Sequence, residues 1–364
     1  MLMTKSEHHF QPLPMLCNPE SYTACPIDLS EQSGHLGYWV DLFRSHLSKL
    51  LAEAERRFSG ELNLKSRLDT ARRHFTQYLD SISRQPGQHG RLEIIDICWA
   101  RERALRAAQF DDVYRDAKCR ENDAAMKLWP SLIDELDAMS EAERMSSIIE
   151  GVFAGNIFDL GATTTVDLFT DNNVDFISTR QRLSPRPWLI DDLDSFLPKL
   201  ARGCYRNSLL FVDNAGCDII LGMMPFAREL IRRGATVLLA ANTEPALNDI
   251  THRELVVIVQ ELSGRDVILR NALDDCRLEM VPSGNDAPLI DLSRVSCQLV
   301  QAITHRDIDL VVLEGMGRAI ESNFHARLTC DTIKVAMIKD EGVADWLGGS
   351  IYDLIFRFEP ANGH

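Results

Sequence analysis

Short apolar runs alternate with helix-length segments over the second half of the chain, and this alternation limits the fold more than any other feature. The runs are rich in β-branched and aliphatic residues: SLLFV at 208–212, TVLLAA at 236–241, LVVLEG at 310–315 and KVAMIK at 334–339. Strands separated by helices generally pair in parallel, because the connecting helix returns the chain to the same end of the sheet. The pattern predicts an α/β fold with a Rossmann-like, mainly parallel sheet flanked by helices. The alternating segment IYDLIFRF at 351–358 predicts a further strand at an edge.

The first 150 residues have a helical periodicity instead. Apolar residues recur every three or four positions from Trp39 to Phe58, which predicts a helix with one apolar face. Similar patterns cover 64–84, 93–108 and 122–150. We therefore predict an extended lead over 1–30, a mainly helical domain over 31–150 and an α/β domain over 151–364.

Composition disfavours several functional classes. The 364 residues include 39 Lys and Arg against 54 Asp and Glu, and the resulting net charge of −15 disfavours a nucleic-acid partner. The N-terminal segment lacks the apolar core of a signal peptide, and no run is apolar enough to span a bilayer. Nine cysteines without a C-x-x-C pair are typical of reduced thiols. We expect a cytoplasmic protein that binds no membrane; the sequence leaves its oligomeric state open.

Polar side chains follow each of the four predicted strands. In chain order they include Asp213 and Asn214, then Asn242 and Asp249, then Glu314 and Arg318, and finally Lys339. A single residue of this kind more often caps the next helix. Four strands that are each followed by polar residues favour a ligand cleft instead, because the carboxyl ends of parallel strands meet at one edge of the sheet. Two carboxylates and an amide suit Mg²⁺ or Mn²⁺ better than zinc.

A second candidate segment is GVFAGNIFDLGA at 151–162. It is either a buried helix with a glycine at a close contact, or a helix that presents Asn156 and Asp159, one turn apart, to the polar edge. The sequence has no phosphate-binding G-x-x-x-x-G-K-[ST] loop and no G-x-S-x-G elbow, and Gly315 and Gly317 lack the third glycine of a dinucleotide loop. These absences disfavour kinase-like nucleotide binding and serine hydrolase chemistry.

From about Pro12 to Phe358 the sequence resembles the damage-control phosphatases, domain-of-unknown-function family 89. The resemblance rests on motifs in the expected order: AGNIFDLG, VDNAGCDIILG, PFARELIRRGA, PALNDIT, IDLSR, EGMGR and the segment through Lys339. EGMGR at 314–318 marks the branch similar to the carboxy-terminal domain of pantothenate kinase 4 proteins and to stand-alone plant 4′-phosphopantetheine phosphatases. No kinase-like segment precedes the motifs, so we expect the stand-alone form.

This resemblance implies a divalent metal ion, Mn²⁺, Co²⁺, Ni²⁺ or Mg²⁺, held by Asp213, Asn214 and Asp249. It also implies hydrolysis of 4′-phosphopantetheine and its oxidised or damaged forms, a role in coenzyme A metabolism. The substrate would then be a small phosphorylated metabolite. Ala215 departs from the family pattern, in which serine is common, and this removes any role for a hydroxyl at that position.

The remaining candidate residues have less specific roles in this interpretation. Lys339, helped by Arg318 and the backbone near Gly315 and Gly317, would neutralise the phosphoryl group. Glu314, Asn156 and Asp159 would orient the water, a ligand or the substrate. Either a metal-activated water or Asp213 itself would attack the phosphorus.

Other functions stay open at this point. One is a phosphatase of sugar phosphates. Another is a carboxyl methyltransferase on a Rossmann-like sheet, which DNAGCD disfavours because it has too few glycines for close cofactor approach. A third is a binding or scaffold protein without catalytic activity.

Overall fold

The computed structural model describes residues 10–157, 176–203 and 205–361. Its strands in these ranges are β1 (Phe10–Gln11), β2 (Ile190–Asp191), β3 (Asn207–Phe211), β4 (Thr236–Ala241), β5 (Leu278–Pro282), β6 (Val295–Ser296), β7 (Leu310–Glu314), β8 (Asp331–Met337) and β9 (Leu354–Glu359). Seven of them form a central sheet in the order β2-β9-β8-β7-β3-β4-β5, and β1 pairs with β6. The predicted α/β class with a mainly parallel sheet is confirmed.

Pairing within the sheet is parallel except between β8 and β9. All four strongly apolar runs form strands, because a central strand buried on both faces requires a continuous apolar sequence. β9 was predicted at an edge, but it pairs on both sides, with β8 and with the two-residue strand β2. β5 forms the other edge and was not predicted, because its half-buried sequence LEMVP lacks a continuous apolar run.

The N-terminal helices are α1 (Ser33–Arg57), α2 (Leu64–Arg84), α3 (Ile94–Ala107), α4 (Arg115–Ala138) and α5 (Glu141–Asn156), with a 3₁₀ turn at Pro86–His89. Shorter helices follow: Phe176–Gln181, Leu193–Ala201, Met224–Arg232, His252–Arg265, Val267–Asp274, Cys297–Thr304 and Glu341–Leu347, with wide π-helical turns at Asp218–Met223 and Gly317–Glu321. The pattern over 122–150 predicted one helix, but the structure has α4 and α5 there. The break lies where Ser140 and Glu143 form a reciprocal N-terminal cap.

Three apolar clusters hold these elements together. One fills the space between α1, α2 and α3, and the other two cover opposite faces of the sheet. Successive residues of β3 point to opposite faces, so Leu209 and Phe211 join one cluster and Leu210 joins the other. From Ala125 onward, the buried apolar residues of α4 and α5 belong to the cluster on one face of the sheet rather than to the cluster between α1, α2 and α3. Helix α5 continues across residue 150. The division into domains at that residue stays a prediction.

The segment ahead of α1 lies across the α/β part of the chain. The backbone N–H of Leu13 donates to Leu292 O at 2.8 Å, and Thr329 N–H donates to Met15 O at 2.8 Å. The β1–β6 pair extends these contacts. No helix within the described ranges is both long and apolar enough to cross a membrane.

Candidate active site

Two loops at the carboxyl ends of β3 and β4 bring the predicted metal ligands together. Asn214 and Asp249 form an isolated antiparallel bridge. Beside it, Ile250 N–H donates to Asp213 O at 2.9 Å and Ala215 N–H donates to Asn248 O at 3.0 Å. The loops are therefore fastened through their backbones, and Asp213, Asn214 and Asp249 all become buried.

Three buried carboxylates cluster around the end of β3. Asp213, Asp218 and Glu314 each offer one oxygen, and these oxygens lie within 4.8 Å of one another. Asp218 begins the helical turn after β3, and Glu314 ends the adjacent strand β7. Burial raises the pKa of Asp218, and burial together with the charge of Asp218 raises the pKa of Glu314 well above its usual range. Such a cluster requires a proton or a cation to offset its charge.

One amide group connects all three carboxylates. Asn156, the last residue of α5, donates from Nδ2 to Glu314 Oε1 at 2.8 Å, Asp218 Oδ2 at 3.1 Å and Asp213 Oδ2 at 3.2 Å. Its own Oδ1 and the Oδ1 of Asp218 are buried without a hydrogen-bond partner among the described residues. Unsatisfied buried oxygens next to carboxylates suit a hard divalent cation, so the residues present fit the metal ion that the sequence predicts.

Asn214 and the backbone of Asp213 fix the orientation of these carboxylates. Asn214 Nδ2 donates to Asp218 Oδ2 at 2.8 Å and to Asp213 Oδ2 at 2.9 Å. Glu314 Oε2 accepts from the backbone N–H of Asp213 at 2.8 Å. Asn214 thus turns its amide nitrogen to the cluster, and its role as a metal ligand stays a prediction.

Arg318 lies on the other side of Asp213 and links it to Asp249. Its Nη1 donates to Asp213 Oδ1, and its Nη2 donates to Asp249 Oδ2 at 2.7 Å and to Asn242 Oδ1 at 3.0 Å. Asn242 Nδ2 also donates to Asp249 Oδ2, at 2.8 Å. Asp249 therefore faces a guanidinium, whereas Asp213 lies between that guanidinium and the other two carboxylates of the cluster. The sequence predicted Arg318 as a phosphate-binding residue and gave it no contact with the carboxylates.

The two glycines of EGMGR make room for neighbouring groups. Gly315 has φ of +97°, and a Cβ at this position would lie 2.1 Å from Asp213 Oδ2. A Cβ at Gly317 would lie 2.6 Å from the carbonyl oxygen of Pro288. Both positions require glycine for space, and the first also requires it for backbone conformation. Their predicted contact with substrate stays a prediction.

A cavity of about 100 Å³ opens next to these residues. Asp213, Asn214, Asp249 and Lys339 line it from the sheet edge, and residues of α1 and α3, namely Trp39, Leu42, Phe43, His46, Ile94, Cys98 and Arg101, line it from the opposite side. Lys339 is buried there, and its charge lowers the pKa of both Asp218 and Glu314 against the larger effect of burial. The cavity thus combines a cation, several carboxylates and an apolar cover.

Cys98 is a lining residue that is unsuited to nucleophilic attack. Its side chain is fully buried, and burial raises the pKa of the thiol to about 12. The reactive form of cysteine is the thiolate, which is scarce at neutral pH when the pKa is this high. A phosphocysteine intermediate on Cys98 is therefore disfavoured.

The site contains most of the residues predicted from the sequence, together with others that were not predicted. The structure brings together Asp213, Asn214, Asn156, Glu314, Arg318, Asp249 and Lys339, and adds Asp218, to which the sequence gave no role. The signal for Asp218 was its place five residues after Asp213, at the start of the helix that follows the strand. Asp159 lies outside the described residues. The residues of α1 and α3 were missed because their apolar spacing predicts only a helix core.

Comparison with known proteins agrees with this architecture. Residues 38–355 match the family model described as damage-control phosphatase ARMT1-like domain. A damage-control phosphatase of Arabidopsis thaliana is 38% identical over 365 residues, which cover 97% of this chain and 98% of the relative. A 4′-phosphopantetheine phosphatase of Mus musculus is 31% identical over 98% of this chain, and the match spans 49% of the mouse protein.

The fold is also that of a solved structure. The crystal structure of a DUF89 family protein from Pyrococcus horikoshii matches 89% of this chain and 98% of its own, with a TM-score of 0.58 and 15% identity. At this identity the likeness shows the fold alone. The sequence matches over most of the chain go further, and they show that this protein belongs to the damage-control phosphatase family with an ARMT1-like domain.

Proposed function

We propose that the protein is a metal-dependent phosphatase that hydrolyses 4′-phosphopantetheine and its oxidised or damaged forms. The observation that carries the proposal is the contact of Asn156 with three buried carboxylates. The amide oxygen of Asn156 and one oxygen of Asp218 have no hydrogen-bond partner in the part of the chain that the structure describes. Membership of the phosphatase family supports the reaction class, and the name of the mouse relative supports the substrate.

The residues that would hold the metal ion are Asp213, Asp218 and Glu314 together with Asn156. The predicted set of Asp213, Asn214 and Asp249 overlaps with this one at Asp213. A bound Mn²⁺, Co²⁺, Ni²⁺ or Mg²⁺ would polarise the phosphate ester and lower the pKa of a water molecule. The Arg318 guanidinium already occupies the space between Asp213 and Asp249. We therefore assign the ion to the side of Asp213 that faces Asn156.

Residues of the chain supply positive charge to the cavity and exclude water from it. Lys339 lines the cavity and offsets the negative charge of a phosphoryl group placed there. The cover formed by α1 and α3 limits solvent access, which strengthens these electrostatic contacts. A small phosphorylated metabolite in the cytoplasm is the expected substrate.

Asp213 is a poor candidate for the nucleophile. Its Oδ1 accepts a hydrogen bond from Arg318, and its Oδ2 accepts from Asn156 and Asn214. Hydrogen bonds to both oxygens lower the nucleophilicity of a carboxylate, so the contacts favour attack by water. Acid-quenched turnover with ³²P-labelled substrate should leave no label on the protein. A labelled aspartyl-phosphate would contradict this assignment.

The test begins with chelator-treated protein. Activity on 4′-phosphopantetheine, its S-oxidised forms and several sugar phosphates is measured after adding Mn²⁺, Co²⁺, Ni²⁺ or Mg²⁺ separately. We expect no turnover without metal, and the largest kcat/KM on the phosphopantetheine forms. Full activity in chelator would rule out metal dependence, and a preference for sugar phosphates would overturn the substrate.

Two variants and one control locate the metal site. Asp213→Asn and Asp218→Asn should each lower kcat by about a hundredfold or more, and titration calorimetry should show weaker metal binding, since each loses a charged ligand. Asp69→Ala, at an exposed carboxylate of α2, should change neither value. Unchanged metal binding in both site variants would place the ion elsewhere.

A further inference from the structure

We infer that an apolar slot beside the catalytic cavity binds the arm of an elongated phosphate monoester, that is, an uncharged and largely aliphatic chain with the phosphate at one end. The slot, called the arm slot here, has a volume of about 60 Å³, and its lining includes Ile27, Tyr38, Trp39, Ile94, Val343 and Trp346. The inference rests on the proposed function, because it assumes that a phosphoryl group reacts in the cavity at Asp213.

The arm slot is continuous with the catalytic cavity. Trp39, Ile94 and Glu321 line both spaces. The catalytic cavity alone holds about 100 Å³, which is enough for a phosphate group and little beyond it. A substrate with a longer leaving group must therefore extend out of this cavity, and the arm slot is the adjoining space with an apolar lining.

The walls of the slot are fixed relative to the phosphate end of the site. Two of the walls are α1 and the helix Glu341–Leu347, which starts two residues after Lys339. The rest of the lining includes Ile27, from the segment ahead of α1, and Ile94, from α3. Tyr38 Oη donates to Asp340 Oδ2 at 2.6 Å, and Asp340 Oδ1 caps the helix Glu341–Leu347 by accepting from Val343 N–H at 3.0 Å. A Cβ at Gly342 would lie 3.1 Å from Tyr38 Cε1, so the two walls are in close contact at this point.

Two aromatic side chains stand at the rim of the slot. Tyr38 is 37% exposed and Trp346 is 36% exposed, among the few large apolar side chains of the described residues with this much exposure. Trp346 packs edge to face on Phe324 with a centroid distance of 5.2 Å, which holds the indole in place. Exposed aromatic groups next to an apolar space are typical of ligand contacts. A hydroxyl-rich sugar would lose hydrogen bonds in this lining, whereas an aliphatic arm would not.

A series of n-alkyl phosphates from ethyl to octyl tests the inference with the unmodified, metal-loaded protein. If the slot takes the arm, kcat/KM should rise by about fourfold for each added methylene until the slot is filled, because each buried methylene contributes a factor of this size to binding. Turnover of every member with a flat dependence on chain length would overturn the inference. Absence of turnover on all members and on 4′-phosphopantetheine would instead contradict the proposed function.

Two variants test the slot residues themselves. Ile27→Phe adds volume inside the slot and Trp346→Ala removes its rim, so each should lower the ratio of kcat/KM for octyl over ethyl phosphate by about tenfold, mainly through KM. Val257→Ala is the matched control, because Val257 is an apolar residue 61% exposed on the helix His252–Arg265. Thermal melts confirm that each variant is folded. A ratio equal to that of the wild type in both folded variants would show that the slot is not used.

Discussion

Gly315 gives the carboxylate of Asp213 the space that it occupies. The residue has φ of +97°, and an added Cβ would lie 2.1 Å from Asp213 Oδ2 and 2.4 Å from its Cγ. Any side chain would displace the group that accepts hydrogen bonds from Asn156, Asn214 and Arg318. Gly315 is therefore a structural requirement of the candidate metal site.

Substitution Gly315→Ala should lower kcat by about a hundredfold and weaken metal binding, since Asp213 must move. Gly348→Ala is the matched control, because Gly348 also has a positive φ, +69°, but has no atom within 4 Å of an added Cβ. The control should lose about 1 kcal/mol of unfolding free energy from backbone strain and keep its activity. Equal activity losses in the two variants would contradict the role given to Gly315.

Lys334 predicts a pH dependence of stability. Its side chain is fully buried in β8 and donates to Phe324 O, Ala326 O and Glu359 Oε2, each at 2.9 Å. Burial lowers the pKa of Lys334 from 10.5 to about 8, although Glu359 opposes the shift. Between these values the unfolded chain binds more protons than the folded one, so the unfolding free energy rises with pH across this window.

The measurement is urea unfolding at about pH 7.5 and about pH 10 for the wild type and Lys334→Met. The wild type should gain stability relative to the variant at the higher pH, by up to about 3 kcal/mol. Lys65→Met, at an exposed lysine of α2, gives the control difference. A wild-type advantage that shrinks as the pH rises would show that the sign is wrong.

At the scale of elements, a buried lysine joins α4 to the loop that carries Asp249. Lys118 Nζ lies 2.8 Å from Glu254 Oε1 and 3.0 Å from Asp112 Oδ2, and it donates to the backbone oxygen of Asp249 at 3.4 Å. Glu254 also accepts from the backbone N–H of Thr251 at 2.9 Å, which caps the helix His252–Arg265. The cation thus holds two carboxylates and one site loop in place.

Removing the charge of Lys118 should lower the unfolding free energy substantially. Lys118→Met leaves two partly buried carboxylates facing each other, and we expect a loss of about 3 to 5 kcal/mol in unfolding free energy. Arg44→Met removes the exposed ion pair with Asp80, whose atoms are 2.6 Å apart, and should cost about 1 kcal/mol or less. Denaturant titration of both variants makes the comparison. Similar losses in the two would mean that Lys118 contributes little to the attachment of the loop.

The sequence predicted elements well where a local pattern determines them. β3, β4, β7 and β8 are largely apolar because both of their faces are buried, and the polar residues after them meet at one edge because these four strands are parallel. β5 was not predicted, because an edge strand is only partly buried and does not require a continuous apolar run.

Contacts between residues of distant elements could not be predicted from local sequence patterns. Asp218 meets Glu314 only because β7 lies next to β3, and strand order is not encoded in local periodicity. The cover over the cavity depends on α1 and α3 packing against residues about 200 positions later in the chain, such as Ala287 and Leu289. Family motifs pointed to Asp213 and Asp249, but not to these contacts.

At the scale of the whole molecule, the candidate metal site connects separate parts of the fold. Asn156 ends α5, Asp213 and Asp218 follow β3, and Glu314 ends β7. An ion bound by these residues would therefore stabilise the native state as a whole, because the unfolded chain does not hold its ligands together.

Metal at about 100 times its dissociation constant should raise the unfolding free energy by about 2.7 kcal/mol. Thermal melts of chelated and Mn²⁺-loaded protein measure this stabilisation, and Asp218→Asn should abolish most of it. Asp69→Ala should keep the full increase, because it lies outside the site. Equal melting temperatures with and without metal in the wild type would argue against a site of this kind.

The N-terminal segment that crosses the α/β part has a consequence for how the chain folds during synthesis. Leu13 pairs with Leu292, and Met15 with Thr329, so these contacts join residues that are about 300 positions apart in the chain. Contacts of such high sequence separation form late and slow folding, because a long loop must close first. Residues 10–16 contact Leu292, β6 and the loop at Thr329, so these contacts cannot form before that part of the chain has been made. We expect a nascent chain to keep residues 10–16 exposed, and therefore accessible to chaperones, until these partners have been made.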